Sequence, residues 1–294
     1  MKYAYQLSCE STVDLPHAYI TGRDISVLFY TYSVEGEVYT DDMQRDPKAR
    51  EEFFAMLKAG KMPSTSQINY SRYYQYFEEL LQKGDVIHVA FGSGMTPSVN
   101  NAFDAANALR EKYPERKLVV IDSLCSCVGY GLFVETMADL RDGGMDIDAL
   151  DLWARENRLK VRHQIFCTDL TQFKRSGRVS GPAAVFGNLL GICPIMHLNS
   201  EGRIIAYKKV KGKKNAMMDT VQTICAEVRD GADYDGVMYV SNADCQAAAD
   251  EIRAELKRRL PKADIRDAKI GMVISAHCGP ETTAIFYYGP ERTM

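Results

Sequence analysis

The chain has 294 residues, 46% hydrophobic and 26% charged, and its 36 Lys and Arg against 39 Asp and Glu give a net charge of −3. That length carries a sizeable core and sits where a second one begins, while the average composition excludes disorder and fibrous repeats and the scattered charge excludes a nucleic-acid-binding face. The start MKYAYQLSCEST lacks the pattern of a secretory signal and no apolar run reaches a membrane span, so a cytoplasmic protein with no integral membrane segment and no nucleic-acid partner is expected.

Taken in chain order, YAYQLSC reads as a first strand, and STVDLP follows as a turn ended by Pro16. The apolar, aromatic run DISVLFYTYSV fits one buried strand. PKAREEFFAMLKAG reads as a helix opened by Pro47 and closed by Gly60. STSQIN is expected as a loop feeding a second helix, because Tyr70, Tyr73, Tyr74, Phe77, Leu80 and Leu81 recur at helical intervals. DVIHVAF is a buried strand, GSGMTPS a turn and VNNAFDAANALREKYP a helix; after KLVVIDS a further helix should start near Cys125.

The helix DALDLWARENRLK is a suitable place for a domain boundary, giving domains 1–158 and 159–294. The second half opens with the strand HQIFCTDL, then offers CPIMHLN and RIIAYKKV around the hairpin signal SEGR. A helix from about Lys213 to Val228, the strand GVMYVSN, the helix CQAAADEIRAELKRRL and two strands complete it. Both domains are therefore expected to be α/β, the first with a largely parallel sheet flanked by helices, the second with a mixed sheet.

Three polar clusters fall where an α/β sheet places a ligand: Ser64-Thr65-Ser66, Gly92-Ser93-Gly94 and His277-Cys278-Gly279-Pro280. Hydroxyls and free amides at helix starts suit a carboxylate or phosphate. Each cluster also has a plain reading, STS as a helix-capping loop and GSG as a tight turn. His277 follows IGMVISA and is expected in a rigid turn. FGSGM departs from the nucleophile elbow of Ser–His hydrolases, and both the Walker and the dinucleotide-binding patterns are absent, so ATP and NAD are not expected as cofactors. Eight cysteines without a secretory signal read as reduced, packed thiols, and no metal-like spacing occurs.

In their order and spacing, ESTVDLP, GEVYTDD, STSQ, GSGMTPS, VIDS, LTQFKRSGRVSGPAAVFGNLLGICPI and AHCGP resemble the DegV family of bacterial fatty-acid-binding proteins. The resemblance implies a two-domain α/β protein that holds one long-chain fatty acid in an apolar tunnel between its domains. It also implies that the acid is presented to a separate ATP-dependent fatty acid kinase, which makes an acyl phosphate for phospholipid synthesis. The chain would then be a carrier without cofactor or catalytic residues. Carried over residue by residue, the carboxylate site falls on Thr65, Ser93 and His277, with Ser66 beside them, Arg178 as supporting cation, and Gly94 and Gly279 in the binding loops. Lys174, Arg175 and Lys211 fall on the implied partner surface, with Lys174, Arg175 and Arg178 on a mobile turn at the site mouth and AAVFGNLLGICPI walling the cavity. Two other functions compete: a lipid or acyl hydrolase or transferase using Ser93 and His277, and a lipid sensor with no kinase partner.

The chain departs from the family pattern at several places. Glu10 precedes Ser11 where Asp is usual, Ile68 stands for Pro, Phe29 for a common Pro, Cys193 for Lys, and Lys211 for an Arg. Met95-Thr96-Pro97-Ser98 replaces the usual LSGT. Glu281 replaces a glycine; pointing inward it would repel a carboxylate, whereas facing solvent it would do little.

Overall fold

The computed structural model describes residues 3–180, 191–228 and 230–294. Up to residue 122 the chain forms β1 (Gln6–Glu10), a 3-10 turn at Ser11–Val13, α1 (His17–Gly22), β2 (Ile25–Leu28), β3 (Thr31–Val34), β4 (Glu37–Thr40) and α2 (Pro47–Lys58). Then come β5 (Pro63–Ser66), α3 (Tyr70–Leu81), β6 (Val86–Ala90), α4 (Ser98–Lys112) and β7 (Leu118–Asp122). Two helices, α5 (Cys127–Asp142) and α6 (Ile147–Asn157), lead to β8 (Val161–Cys167), α7 (Thr171–Ser176) and β9 (Val179–Ser180). The remainder is β10 (Ile192–Leu198), β11 (Ile204–Lys211), α8 (Lys213–Glu227), β12 (Val237–Ala243), α9 (Gln246–Arg259), β13 (Asp264–Lys269), α10 (Met272–Cys278) and β14 (Thr282–Tyr288).

These strands build a parallel sheet in the order β2-β1-β6-β7, a small antiparallel sheet β4-β3-β5, and a mixed sheet β13-β12-β14-β8-β10-β11-β9. The protein is α/β, and every strand of the first two sheets precedes residue 123 while every strand of the third follows residue 160.

Local sequence explains most of the elements. Every residue of β6 is buried, as expected of an unbroken apolar strand inside a parallel sheet. In α3, Tyr73, Phe77, Leu80 and Leu81 bury one face, and the Asn69 side chain accepts from the Arg72 amide at 3.0 Å to cap its start. Asp46 does the same for α2 ahead of Pro47, accepting from the Lys48 amide. Helix α5 is buried on nearly all sides and packs against the 3-10 turn after β1 as well as β8, β12 and β14, so it joins the two larger sheets into one core.

Three expectations need correction. The run from Asp24 to Val34 is not one strand: it breaks after Leu28 and supplies β2 to the parallel sheet and β3 to the small one. The break is held by tertiary bonds, since the Tyr30 amide donates to Ser11 Oγ at 3.0 Å and its carbonyl accepts from the Asp41 amide at 2.9 Å. Ser64, Thr65 and Ser66 are not a loop but lie in β5, paired with Ser33, Tyr32 and Thr31 of β3. His277 is not in a turn; it belongs to the last turn of α10.

Candidate functional site

Helix α10 packs against β3, β5 and α7, and it brings His277 from the mixed-sheet half to Thr65 of the small sheet. Thr65 Oγ1 and His277 Nε2 lie 2.8 Å apart, while the buried Nδ1 has no hydrogen-bond partner. A proton on Nε2 leaves Nδ1 as an unpaired acceptor, which costs less than an unpaired buried N–H; in that tautomer the ring donates to Thr65 and the threonine proton is free to point elsewhere. Burial and the neighbouring Arg178 cation push the imidazole down to about 4, so it is neutral at physiological pH.

This pair opens onto a cavity of about 140 Å3 lined from both halves of the molecule. Among the described residues, its polar wall holds Thr65, Ser66, Gln67, Thr96, Ser126 and His277, and Arg178 carries the one formal charge. Phe91, Met95, Phe173, Ile204, Val273 and Ile274 make the apolar wall. Thr12 and Tyr30 also line it, and the hydroxyl of each is buried without a hydrogen-bond partner. Thr96 Oγ1 accepts from the Ser98 amide at 3.3 Å, which spends a lone pair and keeps its proton available. The wall thus presents neutral hydroxyl donors and one guanidinium to a single region, an arrangement that holds an anionic headgroup without burying several cations.

The sequence-derived residues divide. Thr65, Ser66, Arg178 and His277 come together at the cavity. Ser93 does not line it: its side chain is exposed and its amide donates to Asp122 Oδ1 at 3.0 Å. The turn from Gly92, whose carbonyl accepts from the Met95 amide, sends Ser93 outward and Thr96 inward. Gly94 packs main chain to main chain, since a Cβ there would meet the Gly202 carbonyl carbon at 2.3 Å. Gly279 ends α10 with φ of 73°, a conformation that side chains rarely adopt.

Lys174 and Arg175 lie on α7, closed by Gly177 in the left-handed conformation, so the basic stretch is helical where a mobile turn was expected. Lys211 is exposed at the end of β11. Glu281 is absent from the lining and turns to Lys213, with 2.6 Å between Oε2 and Nζ. Of the expected apolar wall, residues 183–190 lie outside the described residues. Thr12, Tyr30, Thr96 and Ser126 are the lining hydroxyls that sequence reasoning missed; Tyr30 carried no polar signal inside an aromatic run, and Thr96 sat in a replaced motif.

Among the described residues, no group of three or more His, Cys, Asp or Glu side chains converges as a metal site, and no helix is long and apolar enough to cross a membrane. Fold and cavity together define a three-sheet α/β protein with a cavity lined by apolar side chains, hydroxyls and one charged group. The chain belongs to the DegV family: the family model described as "Uncharacterised protein, DegV family COG1307" matches residues 6–289. A DegV domain-containing protein of Clostridium perfringens is 32% identical over 286 residues, covering 96% of this chain and 97% of its own. Among solved structures, a fatty-acid-binding DegV family protein from Thermus thermophilus superposes with a TM-score of 0.85 at 24% identity, covering 98% of this chain and all of its own. A DegV family protein from Eubacterium eligens loaded with heptadecanoic acid gives 0.82 at 21%, with 98% and 100% covered.

Proposed function

We propose that this protein is a non-catalytic carrier that holds one long-chain fatty acid between its two halves and presents the carboxylate to a separate ATP-dependent fatty acid kinase. The observation that carries the reading is that Thr65, Thr96, neutral His277 and Arg178 line one cavity together with the apolar Phe91, Met95, Phe173, Ile204, Val273 and Ile274. Ser66, Thr12 and Tyr30 complete the headgroup set, and Thr96 takes the place expected of Ser93. The relatives described as fatty-acid-binding support the ligand class. We place the boundary between the domains at residues 158 and 159, in keeping with the separation of the sheets. Lys174, Arg175 and Lys211 are the proposed kinase-facing cations.

Burying about 14 methylenes at about 0.8 kcal/mol each yields roughly 11 kcal/mol gross. Association and chain ordering return an estimated ~4–15 kcal/mol, so useful affinity depends on a headgroup site already arranged. Catalysis fits the geometry poorly. Ser93 is exposed and absent from the cavity lining, His277 Nδ1 has no acidic partner to orient it, and a ring pushed down to about 4 is a weak base.

The test is mass spectrometry of native and denatured protein together with its extracted lipid. One fatty acid per chain, lost on denaturation, is the expected result. Absence of lipid after gentle purification, combined with no uptake of added palmitate, overturns the reading; a covalent acyl adduct replaces it with an acyl-transfer enzyme.

A further inference from the structure

Beyond β14 the chain continues without regular structure, yet it buries one cationic side chain. Arg292 is 3% exposed, while Pro290, Glu291, Thr293 and Met294 around it are exposed. Its guanidinium bridges three separate segments through their carbonyls. Nη1 donates to Leu124 at 2.8 Å and to Asn199 at 3.3 Å, and Nη2 donates to Arg158 at 3.1 Å. Arg158 in turn donates to the Asp122 carbonyl at 2.8 Å, so the third segment leads back to the loop after β7. Main-chain bonds seat the stretch: the Arg292 amide donates to the Leu159 carbonyl and the Thr293 carbonyl accepts from the Ser200 amide. A cation withdrawn from water is costly, and here its direct partners are neutral carbonyls.

The segments so joined carry part of the cavity. Leu124 has φ of 53°, a left-handed conformation that a leucine keeps only where its surroundings impose it. Its amide donates to Asp122 Oδ1 and its carbonyl accepts from Arg292, so both of its main-chain groups are held. Two residues on, Ser126 reaches the cavity lining, with its amide donating to His163 Nε2 at 3.1 Å. The Asn199 carbonyl also accepts from the Gly202 amide in the β10–β11 turn, and Ile204 just beyond lines the same cavity. Gly94, packed on Gly202, leads to Met95 and Thr96.

We propose that Arg292 is a positioning residue for the cavity: its planar fork locks the loop at residues 124–126 to the turn at residues 199–202. The lock sets Ser126, Ile204 and, through the Gly94 contact, Thr96 against the guest. The identity of that guest rests on the carrier reading, whereas the lock itself does not. A lysine here would keep the charge but replace the fork with a single point of donation.

Arg292→Lys and Leu256→Ala, compared in the full delipidated chain, test the proposal. Leu256 is buried in α9 and absent from the cavity lining, so its truncation lowers stability without touching the joint. At a temperature where both variants are folded by circular dichroism, hydrogen–deuterium exchange of residues 124–126 and 202–204 should be about tenfold faster in Arg292→Lys than in Leu256→Ala. The Kd for cis-parinaric acid should rise about tenfold in Arg292→Lys and stay at the wild-type value in Leu256→Ala. Adding Leu124→Gly to Arg292→Lys should recover most of that loss, because glycine holds this φ without strain. The double variant decides if Arg292→Lys alone does not fold, and its failure to fold as well would overturn the proposal. Equal affinity of Arg292→Lys and Leu256→Ala overturns it too, as does exchange raised evenly along the chain. No binding of cis-parinaric acid by wild type overturns the carrier reading instead, and the exchange pattern then decides on Arg292.

Discussion

Replacing His277 by Gln removes a titrating ring while keeping an amide that can donate to Thr65. The imidazole lies near 4 in the folded chain, lowered by burial and then by Arg178, against 6.5 when unfolded. Between those values the unfolded chain binds more protons than the folded one, so stability rises with pH. The contribution is present above about 6.5 and is lost as pH falls through 4. Over the span from pH 7.5 to 4.5 the linkage amounts to about 2.5 kcal/mol, and water reaching the half-buried ring reduces it. Urea unfolding of the delipidated wild type and His277→Gln at several pH values measures it as the change in their difference, which cancels all other titrating groups. Wild type should lose ground to the variant as the solution is acidified. A difference constant across this range would mean that the ring titrates as in water, and the neutral-donor account of the site would fail. With a fatty acid bound, its carboxylate favours the imidazolium, and the same measurement should give a smaller change.

Thr96→Val should weaken displacement of a fluorescent fatty acid by roughly tenfold, and Thr65→Val at least as much because it also strands His277 Nε2, whereas Ser93→Ala should leave affinity unchanged. The reverse order would return the headgroup to the Ser93 loop. Gly94→Ala drives a methyl to 2.3 Å from the Gly202 main chain, so thermal unfolding should show a loss of about 1–3 kcal/mol or more, while Gly22→Ala, with nothing within 4 Å, should cost far less. Asp14→Asn tests a buried acid. Its carboxyl lies near 7 folded and 3.8 unfolded, so its stabilising contribution is full at low pH and fades as pH rises through 7. Relative to wild type the Asn variant should gain about 2–3 kcal/mol between pH 5 and pH 8 in urea melts.

Elements whose side chains repeat with a clear period were legible in the sequence. The apolar stripe of α3, the wholly buried β6 and the β10–β11 hairpin with Gly202 at φ of 72° all follow from local pattern. What escaped was set by contacts distant in sequence. The aromatic run around Tyr30 contains no Gly or Pro, and only Ser11 and Asp41, brought in from elsewhere, stop it from being one strand. Apolar, β-branched residues before His277 do not announce a helix; α10 forms where Gly271 packs against the Asp14 carboxyl, which would be 2.3 Å from a Cβ at that position. At the site, Thr65, Ser66, Arg178 and His277 were reachable from motifs. Thr96 was not, because choosing between it and Ser93 requires the direction in which the Gly92 turn leaves β6.

The seam formed by Gly92, Gly94 and Gly202 bears on how such a protein can diversify. At Gly92 an added methyl would lie 2.7 Å from the Cys125 carbonyl oxygen, and at Gly202 2.9 Å from that of Leu124, so none of these positions can grow. Nor can any of them shrink. Met95 and Ile204 lie one and two residues from that seam, yet their side chains face the cavity and can exchange one volume for another. Side-chain exchange at Met95 and Ile204 can thus reshape the enclosed space while the main-chain joint that holds its walls together stays the same.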